Sequence, residues 1–208
     1  MYRIFTLLAL FCMLAGVPVY AQTNKSVDIK KAASLVQQNA AALGLKEGSI
    51  ENLRVSYAYY DYQANATMIY VIQTFNGVDV SNAEGVLAFR DDKLFMANPS
   101  RVLGLENTMK TKSVKPTISA LTAVYNAAKD LGVTFTTPMV AALKQSADNM
   151  EFEFADGGVA LNNIKARLVW VVDDVNQDAK LSWYVRFPVK EGSADWVMHV
   201  DASNGSVI

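Results

Sequence analysis

The sequence predicts an α+β fold of two units, each with one helix packed on an antiparallel meander sheet, after an N-terminal export signal. Two stretches, near residues 29–43 and 120–131, carry apolar side chains at helical spacing. Each is followed by β-branched and aromatic runs that are separated by turns rich in Asn, Asp and Gly. The chain of 208 residues is 51% hydrophobic and 19% charged, which is typical of a globular protein.

Residues 1–21 are predicted to be a signal peptide. One cation, Arg3, precedes the apolar segment Ile4–Val17, and the small residue Ala21 marks the expected cleavage site. The apolar segment is short for a bilayer span, although a signal anchor is the alternative. Cys12 is the only cysteine and lies in this segment, so the mature chain is expected to have no disulfide and no thiol nucleophile. We therefore expect a secreted, periplasmic or extracellular protein, free of the membrane once the signal is removed.

The first unit is assigned to residues 24–105 and begins with a helix. Asp28 is its expected N-cap and Gly44 its stop, so the helix is predicted over Ile29–Leu43. The Asn76-Gly77 pair predicts a hairpin turn, because both residues tolerate positive φ. Four strands are predicted around it, over Leu53–Tyr62, Thr67–Phe75, Glu84–Phe89 and Lys93–Ala97.

Alternation in the first strand places Leu53, Val55, Tyr57 and Tyr59 on one face. The tyrosines are interpreted as ordinary sheet packing, with a binding strip as the alternative.

The second unit is assigned to residues 110–208, after a polar linker over Leu105–Pro116. Ser119 is the expected N-cap of a helix that stops at Gly132. The segment Val133–Asn149 is ambiguous, with a short helical turn suggested over Met139–Leu143. Strands are predicted over Glu151–Phe154, Ala166–Asp173, Leu181–Val189 and Trp196–Asp201, with turns at Gly157-Gly158, Asn176-Gln177, Glu191-Gly192 and Asn204-Gly205.

Composition and motifs argue against several functions. A formal net charge of −1 without a long basic run makes nucleic acid and anionic membranes poor partners. The chain has one histidine, His199, and no His-Glu-x-x-His motif, so we expect no zinc catalysis and no other enzymatic activity, and we interpret His199 as an ordinary strand residue. Asp174–Asp178 begins like a calcium loop but has Ala179 at position six, and a hairpin turn is the better interpretation. No cofactor is expected, and a binding or folding module is favoured.

A resemblance to a known family is carried by the run Gln73-Thr-Phe75-Asn76-Gly77-Val78-Asp79-Val80-Ser-Asn82-Ala83. It resembles a motif of the first propeptide (FTP) domain of fungalysin and thermolysin-type zinc metallopeptidases, with Phe75 for the usual Tyr and Asp79 where Pro is common. Asp92 stands for Gly in the hairpin that follows. Upstream, Ala40–Leu45 and Leu53–Val55 look like the fungalysin branch.

The second unit carries the rest of the resemblance. Its helix, Ser119–Gly132, is similar to the one that opens the second propeptide domain. The runs Leu168-Val-Trp170, Leu181–Arg186 and Trp196–Val207 resemble the closing PepSY-type strands.

The resemblance implies two cystatin-like propeptide domains that inhibit a secreted zinc metalloendopeptidase and help it to fold. The partner would be the cognate catalytic domain, in cis or in trans, which would begin after Ile208 and would alone hold zinc. A stand-alone secreted or envelope protein-binding domain is the alternative. The segment Asn76–Ala83 is then expected to be a longer shaped connection that fixes the sheet edge on which the protease domain leans. The motif and partner-binding residues implied are Gln73, Phe75, Asn76, Gly77, Val80, Asn82, Ala83, Trp183, Arg186, Trp196, Asp201 and Gly205.

Overall fold

A computed structural model of the protein describes residues 24–44, 52–99, 109, 112–173, 178–190 and 194–208. These residues form two helices and ten strands in one large, mostly antiparallel sheet, so the predicted α+β class is confirmed. The predicted signal peptide, most of the predicted linker and the turns at Asn176-Gln177 and Glu191-Gly192 lie outside these residues. Within the described residues, no helix is both long and apolar enough to cross a bilayer.

The N-terminal half, residues 24–99, contains one helix and five strands. The helix begins where predicted, because the Asp28 carboxylate accepts hydrogen bonds from the amides of Lys30 and Lys31, each at 3.0 Å. It ends at Gln38 rather than Leu43. The next residue, Asn39, uses its side chain to bond Asp92 O at 3.1 Å and the Leu94 amide at 3.2 Å. The elements are β1 (Lys25–Ser26), α1 (Ile29–Gln38), β2 (Leu53–Asp61), β3 (Ala66–Phe75), β4 (Val78–Arg90) and β5 (Lys93–Pro99).

The C-terminal half, residues 112–208, repeats the order of helix and then strands. Ser119 caps the helix by accepting the Thr122 amide at 3.1 Å, as predicted. The helical turn suggested over Met139–Leu143 is wrong, because its backbone bonds a neighbouring segment instead of itself. The amide of Leu143 donates to Glu153 O at 2.7 Å. The elements are α2 (Ala120–Asp130), β6 (Lys144–Gln145), β7 (Glu151–Phe154), β8 (Ile164–Val172), β9 (Ala179–Pro188) and β10 (Asp195–Asp201).

The sheet joins the two halves through β4. Its strand order is β1-β2-β3-β4-β8-β7-β6, while β5 pairs with β4, β9 with β8, and β10 with β9. All these pairs are antiparallel except β4 with β8, which meet in parallel through Asp79 opposite Val169 and Val80 opposite Trp170. The long strand β4 is therefore the element that connects the two parts of the sheet.

Two hydrophobic cores lie on this sheet. One is formed by α1 with β2, β3 and β4, and contains Ala32, Leu35, Val36, Ala58, Ile69, Val71, Leu87 and Phe89. The other is formed by α2 with the C-terminal strands, and its largest buried members are Trp170, Trp183, Phe154, Phe187 and Ile164. Three residues of β4, namely Val78, Val80 and Ala83, pack in this second core although they belong to the N-terminal half of the chain.

An irregularity in β2 overturns the simple alternation predicted for that strand. Val55 pairs with Val71, but the next pair is Tyr57 with Tyr70, so Ser56 is an extra residue on β2. The bulge turns both Val55 and Ala58 toward α1. Tyr57 and Tyr59 consequently lie on the opposite face from Val55, and the prediction that they share a face with it is wrong.

Candidate functional site

The motif segment 73–83 forms a tight turn followed by a wide bulge. Phe75 pairs directly with Val78, and Asn76 and Gly77 between them have φ of 49° and 77°. The two-residue Asn-Gly turn is therefore confirmed, and the longer connection expected over Asn76–Ala83 is wrong.

The bulge lies just after this turn. Residues 80–83 of β4 stand opposite the single residue Gln73 of β3, and Asn82 has φ of 61°. Asn is among the few residues that occupy this left-handed conformation at modest cost. The bulge shifts the register between β3 and β4, and just before it Asp79 and Val80 also pair with β8. One strand therefore contributes to both cores.

One contact between the two halves of the molecule joins an indole group to a backbone carbonyl. Trp170, which is buried in β8, donates its indole N–H to the carbonyl oxygen of Phe75 at 3.1 Å. A buried indole N–H requires a partner, and this carbonyl at the end of β3 supplies it. The Asn76-Gly77 turn is thereby held against the C-terminal half.

Asp79 is the main ionic link between the halves. Its carboxylate accepts Arg54 Nε at 3.0 Å and Arg54 Nη2 at 2.5 Å, and it also accepts Arg167 Nη1 at 3.0 Å. Arg54 lies on β2 and Arg167 on β8, while the Asp79 side chain is only 11% exposed. The hydrogen bond from Asp79 raises the pKa of Arg54. A shielded carboxylate with a bidentate guanidinium is among the stronger polar contacts in proteins, so this cluster fixes β2 and β4 to β8.

The polar contacts continue onto the C-terminal half through Arg167. Its guanidinium lies 4.7 Å from the ring centre of Tyr184. The rings of Tyr184 and His199 are nearly perpendicular, and their centres are 5.7 Å apart. Burial, followed by the charge of Arg167, lowers the pKa of His199. The imidazole is accordingly neutral at pH 7, and its Nε2 lies 3.1 Å from Ser81 Oγ on β4. We call Arg54, Asp79, Ser81, Arg167, Tyr184 and His199 the junction cluster.

The Ser81 hydroxyl and the His199 imidazole lie at the hydrogen-bond distance that a nucleophile keeps from its general base. A hydrolase also needs a group that orients the imidazole and donors for an oxyanion. Among the hydrogen bonds of the described residues, none joins His199 Nδ1 to a carboxylate, and Asp79 is bound by two arginines. No group of three or more His, Cys, Asp or Glu side chains that could hold a metal occurs in the described part of the chain. The contacts of the cluster join β2 and β4 to β8 and β10.

The twelve residues implied by the family motif divide by burial. Phe75 is half-buried, and Asn76, Gly77, Asn82, Arg186 and Trp196 are exposed. The other six side chains or backbone positions are shielded from solvent and do not form a contact surface in this fold: Gln73, Val80, Ala83, Trp183, Asp201 and Gly205.

Several of the buried motif positions have a clear structural role. Trp183 donates its indole N–H to Ile118 O at 3.0 Å, which ties β9 to the start of α2. Gly205 has φ of 82°, and a Cβ there would lie 2.5 Å from the amide nitrogen of Asn126, whose side chain bonds Gly205 O at 2.8 Å. Asp201 closes the same terminal turn by accepting the Ser203 amide at 2.8 Å.

The structure brings together residues that the sequence interpretation did not connect. Arg54, Ser81 and Arg167 carry no local signal, because their spacing of 27 and 86 residues fits no motif. In the sequence, Asp79 stands out only because Pro is common at this position of the motif that the segment resembles. In addition, tyrosines from two strands share a surface, which we call the tyrosine face: it is the side of β2, β3 and β4 away from α1, and it carries Tyr57, Tyr59, Met68, Tyr70 and Val86. Ala88 lies on the same side of β4 but is 0% exposed.

Neither a protein-family model nor a curated protein sequence matches this chain. The family relationship therefore stays a prediction that depends on the motifs themselves.

Proposed function

We propose that the chain is a pro-region of two cystatin-like units that inhibits a secreted zinc metalloendopeptidase and assists its folding, the catalytic domain lying outside these 208 residues. The order of family-like motifs from Gln73 to Val207 carries the proposal. The repeated arrangement of one helix on antiparallel strands supports it, because each propeptide domain of the family is expected to have that plan. Half of the motif residues are buried in the fold, so these would preserve the shape of the pro-region rather than contact the enzyme directly.

Inhibition would operate by burying surface over the peptidase cleft. Stable protein inhibitors bury roughly 1,600 Å² in total, and aromatic side chains commonly contribute most of the affinity. Trp196 suits this role, since it is 48% exposed on β10. The adjacent Asp195 forms a surface ion pair with Arg186 on β9, with a shortest N–O distance of 2.5 Å. We expect this strand to supply one anchor of the interface.

The test uses the chain purified after export and the zinc peptidase domain encoded with it, in the same reading frame or the same genome. We expect stoichiometric inhibition of peptide hydrolysis and a higher yield of active enzyme after refolding from denaturant. Trp196→Ala should weaken inhibition at least tenfold, whereas Val140→Ala, at a side chain 87% exposed on another surface, serves as the matched control. If the wild-type chain changes neither activity nor refolding yield, the proposal is wrong.

One observation favours the alternative of a stand-alone binding domain. Val78, Val80 and Ala83 of the motif segment pack inward, in the second core, whereas the tyrosine face exposes Tyr57 to solvent. A peptidase domain with a His-Glu-x-x-His motif in the same reading frame supports the pro-region. A genome that encodes no such peptidase, together with retained folding and binding by the isolated chain, would support the alternative.

A further inference from the structure

The tyrosine face leaves large apolar groups open to solvent. Tyr57 is 53% exposed, and Met96, which pairs with Ala88 at the rim of the face, is 44% exposed. The rings of Tyr57, Tyr59 and Tyr70 lie within 5.7 to 6.2 Å of one another. Tyr and Met are enriched at protein interfaces, and contiguous apolar patches of this kind commonly mark them.

The face has a regular distribution of large and small side chains. In one row across the strands, Tyr59 on β2 is paired with Met68 on β3 and then with Ala88 on β4. In the next row, Tyr57 on β2 is paired with Tyr70 and then Val86. Bulky groups therefore lie on β2 and small groups on β4, with β3 between them.

A third row adds charge to this pattern. Arg54 on β2 is paired with Ile72 on β3, which is paired with Glu84 on β4. Arg54 is 47% exposed beside Asp79, and Glu84 is exposed. The cation thus lies at the β2 end of the face and the carboxylate at its β4 end.

We propose that the tyrosine face is a docking surface for a second copy of this chain, in a symmetric dimer whose two-fold axis runs along β3. Such an axis places β2 of one copy over β4 of the other. Tyr57 then packs on Val86 of the second copy, and Arg54 faces its Glu84. Every contact is made twice, as a two-fold interface requires.

Packing and charge both favour this occupant. Two sheets that stack face to face lie about 10 Å apart with nearly aligned strands, which keeps these pairs in register near the axis. The two central rows carry no charged residue, and the net charge of −1 causes little repulsion between copies. The face spans three strands, roughly 15 Å at a strand spacing of about 4.8 Å. A contact of this width buries less area than a standard interface of roughly 1,600 Å², so we expect a weak dimer in the micromolar range. This inference is independent of the proposed function.

The test measures molar mass against concentration for the chain purified after export, by sedimentation equilibrium. We expect the mass to rise from one chain to two between about 1 and 300 μM. Tyr57→Val and Val86→Tyr should each weaken association about tenfold or more, the first by leaving a gap and the second by opposing two large rings. The double variant should recover wild-type association to within about threefold, because it exchanges the two partners.

Leu161→Ala is the control, since it truncates an apolar side chain that is 58% exposed and lies outside the tyrosine face; it should associate like the wild type. Circular dichroism of each variant verifies the fold. A wild-type chain that stays monomeric throughout this range overturns the inference. Association of both single variants at the wild-type level overturns it as well, and so does a double variant that recovers no association.

Discussion

The two halves share one plan but differ in how completely they cover their strands. The N-terminal core has a single aromatic residue, Phe89, among its fully buried side chains, and the other face of its sheet is the open tyrosine face. The C-terminal core buries two tryptophans, and on the opposite face of its strands Val169 and Ser182 are 0% exposed. From this difference in burial we expect the C-terminal half to be the more stable one, and the N-terminal half to depend on the junction cluster for part of its stability.

The largest expected effect comes from the C-terminal core. Trp183→Ala removes an indole that is 1% exposed and leaves Ile118 O without its donor. We expect a loss of about 3–5 kcal/mol in the free energy of unfolding, measured with urea. Leu87→Ala in the N-terminal core should cost less, about 2–3 kcal/mol, because it removes a smaller side chain and no hydrogen bond. Equal losses would show that the two cores do not differ as described.

The second prediction concerns the junction. Asp79→Asn leaves Arg54 and Arg167 without a shared counter-charge, and we expect it to cost about 2 kcal/mol, since both arginines are partly exposed. Far-ultraviolet circular dichroism and Trp fluorescence should then report separate transitions, because the halves unfold less cooperatively. Asp195→Asn, which breaks a surface pair with Arg186, is the matched control and should change the free energy of unfolding much less than Asp79→Asn does. A single transition shifted no further than that of the control would contradict the role of Asp79.

The smallest expected effect is a pH dependence from His199. Burial and Arg167 lower its pKa in the folded chain, while in the unfolded chain it titrates near 6.5. The unfolded state therefore binds more protons just below that pH, so stability should fall as pH decreases from about 7 to about 5. His199→Gln should flatten this slope, as followed by thermal unfolding across the range. The carboxylates with lowered pKa, such as Glu153 and Asp156, lose their contribution only at lower pH. An unchanged slope in the variant would rule out His199 as its source.

Local sequence patterns were sufficient for most of the elements. Asp28 and Ser119 marked both helix starts, and Asn76-Gly77 marked the hairpin, because caps and tight turns depend on a few adjacent residues. Register was not accessible in this way. The extra residue at Ser56 moved Tyr57 to the other face, and no local signal distinguishes a bulge from regular alternation.

The junction was beyond reach for a different reason. Arg54, Asp79 and Arg167 meet only because β4 pairs in parallel with β8, a contact between residues about 90 positions apart. The choice of that pairing depends on the total burial of both cores, which no window of sequence contains. The motif at Gln73–Ala83 identified the important segment, but its physical role became visible only through Val78 and Val80 in the second core.

Because β4 runs through both cores, the boundary between the two cores does not coincide with the predicted linker between the two units. The predicted linker lies near residue 105, whereas the change from one core to the other occurs at the Asn82 bulge, well inside a strand. A protease that cleaves between β5 and α2 would therefore not liberate two independent pieces: the N-terminal fragment would still fill the slot beside β8 with Val78 and Val80. The protein is in this sense a natural candidate for fragment complementation, in which two cleaved or separately produced halves reassemble through one inserted strand.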